Sequence, residues 1–278
     1  MKRLIFGFLT IFTLSFLAVP AYVFTQNCLQ LFENGKVDWS HSVAEAIGIG
    51  HPPVNPINKA QARAKAKSEA ITAARRNLIE IIKKVQIDSK NLIENCIGRS
   101  DKLFKEIQDH LQSSQVVDIS YKPDGSVKAT VSILLTGSFA DLVLPKAIRN
   151  IKPIKQEKPA DKEGKAVFTG LVVDCRGFQL KPALAPKIVD EDGREVYGSV
   201  YVSRHYAVKQ GLAGYTKDLL AAQKNLRVAN RPLIVKGIGT SRTGKTDIVI
   251  SNADAAKIRS AASNLSLLQK CKVVIVAD

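Results

Sequence analysis

Acidic residues are scarce in this 278-residue chain, which sets 25 Asp and Glu against 41 Lys and Arg for a formal net charge of +16. Several other features are missing, and each absence excludes a class. After the first thirty residues no apolar run is long enough to span a bilayer, so a polytopic membrane protein is excluded. The 17 Gly and 11 Pro follow no period and no heptad array persists, which excludes collagen-like and coiled-coil readings. The four cysteines form no CxxC pair, and His41, His51, His110 and His205 are scattered without a convincing ligand set, so we expect no metal and no cofactor. What is present suffices for a core: 45% of the residues are hydrophobic, although only 6% are aromatic.

The N-terminus carries an address. Met1-Lys2-Arg3 is followed by an uncharged stretch from Leu4 to Val19 and then by Val19-Pro20-Ala21, the order of a basic region, an apolar region and small residues at a cleavage site. The apolar run falls short of a stable spanning helix, so we expect a signal peptide over 1–21, cut after Ala21; the competing reading is an uncleaved anchor extended by Tyr22, Val23 and Phe24. Cys28 follows the signal, but Thr25-Gln26-Asn27 lacks the small and apolar residues of a lipidation box. Export gives the positive charge a meaning: outside the inner membrane the abundant anions are cell-wall polymers, lipid head groups and acidic proteins, so an anionic envelope surface is expected as partner and nucleic acid is not. Export also permits disulfides. Three pairings of Cys28, Cys96, Cys175 and Cys271 are open; the two-domain division favours Cys28 with Cys96 and Cys175 with Cys271, and buried free thiols remain the alternative.

Hydrophobic patterning predicts an α+β protein of two small domains, the first a sheet packed by a long Ala-rich helix and the second a mixed sheet with one or two helices. Residues 36–50, with Val37, Trp39, Val43 and Ile47 among polar neighbours, read as an extended strand ending at glycines. Pro52, Pro53 and Pro56 then stop regular structure. Asn58 caps a helix from Lys59 to about Lys84, with Gln61 placed to bond back, and the small stripe of Ala66, Ala70, Ala73 and Ala74 lets it approach a sheet closely. A second helix is expected after Ser100, then an antiparallel hairpin of Gln115–Tyr121 and Ser126–Leu135 turning at Lys122-Pro123-Asp124-Gly125. We place the first domain at 22–148, a charged Pro/Lys linker at 149–165, and the second domain at 166–278. In the latter, strands are expected at Ala166–Asp174, Lys187–Val189, Glu195–Tyr201, Leu233–Ile238, Thr246–Ser251 and Lys272–Val276, with a helix from Ser251 through Asn264.

Trp39, the Gly48-Ile49-Gly50 exit, Asn58-Lys59-Ala60-Gln61-Ala62-Arg63, Ala73-Ala74-Arg75-Arg76-Asn77-Leu78 and the Tyr121–Gly125 turn resemble, in order, a small outer-membrane lipoprotein family that shares its fold with the N-terminal domain of flagellar assembly protein T. The resemblance covers roughly residues 36–137. It implies an envelope-associated, non-catalytic role with envelope or flagellar proteins as partners, and it brings no catalytic residues.

Four constellations invite chemistry. Gly239-Thr240-Ser241-Arg242-Thr243-Gly244-Lys245-Thr246 fits the phosphate-cradling G-x-x-x-x-G-K-T pattern, but Thr246 leads into strand-like Asp247-Ile248-Val249-Ile250 where a phosphate loop needs a helix, so a hairpin connection is expected. Asp190-Glu191-Asp192-Gly193 has the composition of a calcium loop without its spacing and reads as a turn. Ser203-Arg204-His205-Tyr206 sets a Ser near a His without a nucleophile elbow. The enzyme alternative is an envelope hydrolase using Asp174, Asp190 and Asp192, and it requires them to converge in one pocket. The favoured reading is an exported, non-catalytic binding or assembly module, with no catalytic, cofactor or metal residue assigned.

Overall fold

The computed structural model describes residues 27–146, 148, 168–241, 244–260 and 262–278, with the side chains of 262–265 left aside. The signal segment and the 149–165 linker lie outside the described residues. The chain is α+β, built on two sheets: a five-stranded one of order β1-β2-β3-β5-β4 and a seven-stranded one of order β8-β7-β11-β10-β6-β12-β9.

The first sheet is antiparallel throughout and comprises β1 (Leu29–Phe32), β2 (Gly35–Asp38), β3 (Val43–Gly50), β4 (Gln115–Tyr121) and β5 (Val127–Leu134). The expected single strand over 36–50 is instead a hairpin, and β1 was not anticipated. The break falls where Asp38 turns its carboxylate onto the backbone N–H groups of Ser40 and His41, while Ser42 takes a φ of 55°. Helix α1 (Lys59–Lys83) starts where expected: Asn58 accepts from the Gln61 N–H at 2.8 Å, and Gln61 in turn accepts from the Ile57 N–H. It buries Ala66, Ala70, Ala74, Leu78, Ile81 and Ile82 against β3 and β5. Contact is so close that a Cβ on Gly48 would overlap the backbone of Ala74 and Ala70, and one on Gly50 that of Ala66 and Ala70. The short α2 (Ile93–Ile97), α3 (Asp101–Gln112, capped by Ser100) and α4 (Ser138–Val143) complete this part.

The second sheet is mixed. Its centre, β6 (Leu171–Asp174) flanked in parallel by β10 (Leu233–Thr240) and β12 (Val273–Val276), is covered on both faces, which explains the continuous apolar runs. Val172, Val274 and Val276 face Ala222 of α6 (Leu219–Gln223) and Val228, while Leu171, Val173, Val273 and Ile275 belong to a cluster that continues into the first sheet through Trp39, Leu135 and Phe139. The strands β7 (Ile188–Val189), β8 (Glu195–Tyr197), β9 (Gly214–Thr216) and β11 (Ile248–Ile250) fill the remaining places. The helical content exceeds the one or two expected: α5 (Arg204–Gln210) and α6 join α7 (Asn252–Arg259) and α8 (Ala262–Gln269). The expected helix 251–264 is divided between α7 and α8, with Ser251 capping α7 through the Asp254 N–H. Strand β6 starts at Leu171, and just before it Gly170 passes the Val228 backbone, against which a Cβ would lie 2.6 Å away.

The two sheets are joined by apolar packing and by polar ties. Trp39 meets Tyr215 edge to face with ring centroids 5.6 Å apart; the Gly137 N–H donates to Val208 O at 2.7 Å, and the N–H groups of Leu184 and Ala185 donate to Gln86 O and Ile87 O. Arg204 of α5 clamps Asp141 of α4 at 2.9 Å.

Candidate functional site

An open cleft of about 640 Å³ lies at this junction, where the end of α3, the start of β4 and the end of β5 face the Thr136-Gly137-Ser138 turn and α5. Its polar lining includes His110, Ser113, Gln115, Ser132, Ser138 and Lys209. Local structure accounts for each. His110 sits in the last turn of α3 against Phe139, centroids 5.9 Å apart; Ser113 ends the helix by donating its hydroxyl to His110 O; Gly137 takes a φ of 67° and so turns the chain from β5 into α4. Among the described residues no hydrogen bond joins the His110 imidazole to a serine hydroxyl, so the cleft presents hydroxyls, an amide, an imidazole and the Lys209 ammonium as separate groups. A second opening, of about 460 Å³, shares Lys209 and is lined by Asp141, Arg204, His205 and Val208. Sequence reasoning missed the junction cleft because its residues come from four separated stretches, none of which carries a motif.

The carboxylates proposed for a hydrolase do not converge. Strands β10 and β6 are parallel, β11 is antiparallel to β10, and β7 is parallel to β11, so β7 runs opposite to β6. Asp174 lies opposite Lys236 of β10, and Asp190 follows Val189, which the pairing through β11 sets level with Gly239, so the two carboxylates stand at nearly the same level of the sheet but three strands apart, roughly 14 Å in the pairing direction. Each is also engaged. Arg176 grips Asp174 through two bonds of 2.8 and 2.7 Å and holds its carboxyl below the ordinary carboxylate range. Burial would raise the Asp190 pKa, but hydrogen bonds from Arg259, the Arg194 backbone and the Arg194 guanidinium outweigh it and bring it down to about 2. Asp192 pairs with Arg194 at 2.6 Å. The Asp190–Gly193 segment is thus a turn, Gly193 with a φ of 78°, whose buried carboxylate fastens the β7–β8 hairpin to α7. Among the described residues no group of His, Cys, Asp or Glu could hold a metal ion.

The Gly239–Thr246 segment joins antiparallel β10 and β11, with Arg242 and Thr243 outside the described residues. No helix follows Lys245, whose ammonium reaches Gln179 at 3.4 Å, and Gly244 passes close to Ser89 of the first part. His205 stacks edge-on with Tyr206 on α5, while the Ser203 backbone at the head of that helix bonds to Gln269.

The favoured cysteine pairing is corrected. All four cysteines are free thiols. Because β6 and β12 are parallel, with Leu171 opposite Val273 and Asp174 opposite Val276, Cys175 lies beyond one end of the pair and Cys271 beyond the other. They are separated by roughly 15–20 Å at about 3.3 Å per residue, far beyond disulfide reach. Cys28 is buried, with Lys217 and Asp38 nearby, and burial pushes its thiol up to about 11; Cys96 sits on α2 near Asp88 and Arg99. Cys271 is likewise raised by burial to about 11.

Residues 170–278 match the family model described as Treponema pallidum Tp0624, second domain. The match opens one residue before β6 and takes in the whole seven-stranded sheet, so this part of the chain is a second domain similar to that one. No curated protein matches the chain.

Proposed function

We propose that the chain is an exported, non-catalytic protein of the cell envelope that acts as a binding or assembly module, with envelope or flagellar proteins as its partners. The observation that carries the reading is the junction cleft: an open groove with dispersed hydroxyl, imidazole and ammonium groups, framed by two sheets that share one apolar cluster. Such a frame holds recognition groups at fixed spacing and suits binding rather than bond-breaking, because no nucleophile and base are paired in it. The basic N-terminal region, the apolar run and Val19-Pro20-Ala21 support export, and the resemblance of residues 36–137 to outer-membrane lipoproteins supports the envelope. An envelope hydrolase is the weaker reading, since Asp174 and Asp190 stand three strands apart in their sheet and each is held by an arginine.

A photoreactive residue in place of Ser132, inside the cleft, tests this in the native host. Discrete crosslinks to envelope proteins are expected from that position and not from Leu226, which is 95% exposed and outside the cleft. Equal yields from the two positions, or crosslinks to cytoplasmic proteins alone, would overturn the reading.

A further inference from the structure

At the end of the first sheet remote from the second, four features converge that the junction cleft does not use. Strand β3 leaves the sheet at Gly50, β5 enters at Val127, the β4–β5 turn packs Gly125 against Pro52, and α1 begins. The connecting loop, stiffened by Pro52, Pro53 and Pro56, holds Val54 95% exposed and Ile57 84% exposed. That loop thus presents two aliphatic side chains to solvent within four residues of one another.

Cations surround them. The first turns of α1 carry Lys59, Arg63, Lys65 and Lys67, all exposed, and no acid before Glu69; Lys122 and His51 are exposed on the adjoining turn and strand exit. Arg63 lies over the Tyr121 ring at 4.6 Å, which brings that half-exposed aromatic into the same surface. The acids at this end are engaged: Asp124 accepts from the Ser126 hydroxyl and N–H, and Glu69 from the His51 N–H.

We infer that this tip docks onto an anionic lipid surface, Val54 and Ile57 entering the interface while Lys59, Arg63, Lys65, Lys67 and Lys122 meet the head groups. Aliphatic residues at the apex, an aromatic at the margin and flanking cations form the pattern that binds at the boundary between head groups and acyl chains. Charge complementarity selects lipid over a second copy of this chain, since a copy carries the same basic surface. The inference deepens the envelope reading by naming a surface for this end of the molecule, and it rests on that reading only for where such lipid would be met.

The test uses the chain from Tyr22 onward, which keeps every described element while removing the N-terminal apolar run. Sedimentation with phosphatidylcholine vesicles containing phosphatidylglycerol at about 30% should show binding that falls at least tenfold with neutral vesicles or when salt rises from about 0.05 to 0.5 M. Val54→Ser with Ile57→Ser, and separately Lys59→Glu with Arg63→Glu, should each weaken it about tenfold or more at unchanged melting temperature, because these side chains are exposed. Equal binding to neutral and anionic vesicles, or undiminished binding by both double variants, would overturn the inference. So would concentration-dependent self-association that Val54→Ser with Ile57→Ser abolishes while vesicle binding persists. Cell fractionation separates the two proposals: a cytoplasmic chain that still binds vesicles refutes the envelope reading, and an envelope chain that ignores them refutes this one.

Discussion

Replacing Gly48 by Ala probes the contact on which the first domain is built. A Cβ there would lie 2.8 Å from Ala73 C and overlap Ala74 N and Ala70 O, where ordinary contact begins at 3.4 Å. All three atoms are backbone atoms of α1, so no side-chain rotation relieves the clash, and the helix must retreat from β3 by roughly 1 Å. That retreat loosens Ala66, Ala70 and Ala74, each fully buried, and sacrifices dispersion contacts along several turns. The cost falls in the upper part of the range for an inserted methyl group, about 2–3 kcal/mol. At about 2–4 °C per kcal/mol for a chain of this size, calorimetry should register a fall of roughly 4–12 °C. Gly239→Ala is the control: nothing lies within 4 Å of its Cβ position, so the change should fall within about 0.5 kcal/mol. Melting of Gly48→Ala within about 1 °C of the parent would show that α1 does not rest on the β3 glycines.

Two further outcomes follow from charge and burial. The Asp190 carboxyl is depressed from 3.8 to about 2 in the folded chain, so it stabilises the fold above its unfolded value and loses that contribution as pH falls from about 4 toward 2; Asp190→Asn should flatten the acid limb of a denaturation profile, and an unchanged limb refutes the Arg194–Asp190–Arg259 linkage. A thiol reagent added to the native, unreduced protein should modify half-buried Cys96 alone, with Cys28, Cys175 and Cys271 reacting on unfolding; a Cys175–Cys271 peptide in a non-reducing digest would contradict the parallel pairing of β6 with β12.

Local signals in the sequence located the elements whose causes are local. The Asn58 cap, the alanine stripe of α1 and the Pro-Asp-Gly turn between β4 and β5 each act within a few residues, and the structure places all three as read. The break in 36–50 escaped because Trp39, which looks like a strand residue, serves the junction with Tyr215, while the turn depends on Asp38 reaching two residues on. Strand direction was equally hidden. Two apolar runs ending near cysteines look like neighbours in either orientation, yet only the antiparallel arrangement would bring Cys175 and Cys271 together, and β6 and β12 are parallel. The candidate cleft was out of reach for the same reason: His110, Ser132 and Lys209 become neighbours only once α5 is docked on the first sheet.

The docking of the two sheets governs how the proposed surfaces relate. Tyr215, whose hydroxyl both accepts from Ala183 N and donates to Ala183 O, packs its ring on Trp39, so a residue of edge strand β9 is held by its own domain at one end and by the first domain at the other. Arg227 reinforces the second domain beneath it with a guanidinium that donates to Gly211 O and Cys271 O at 3.0 and 3.1 Å and to Gln210 O. Burial lowers the Arg227 pKa, and the planar fork satisfies three carbonyls that a lysine could not reach together. Because Gly137 and Arg204 add polar ties across the same boundary, a partner seated in the cleft meets a frame already ordered, and little of its binding free energy is spent on orienting one domain against the other. The basic tip projects from the opposite end of β3 and β5. A chain held at a lipid surface by that tip would therefore present the junction cleft away from the membrane, where an envelope partner could reach it.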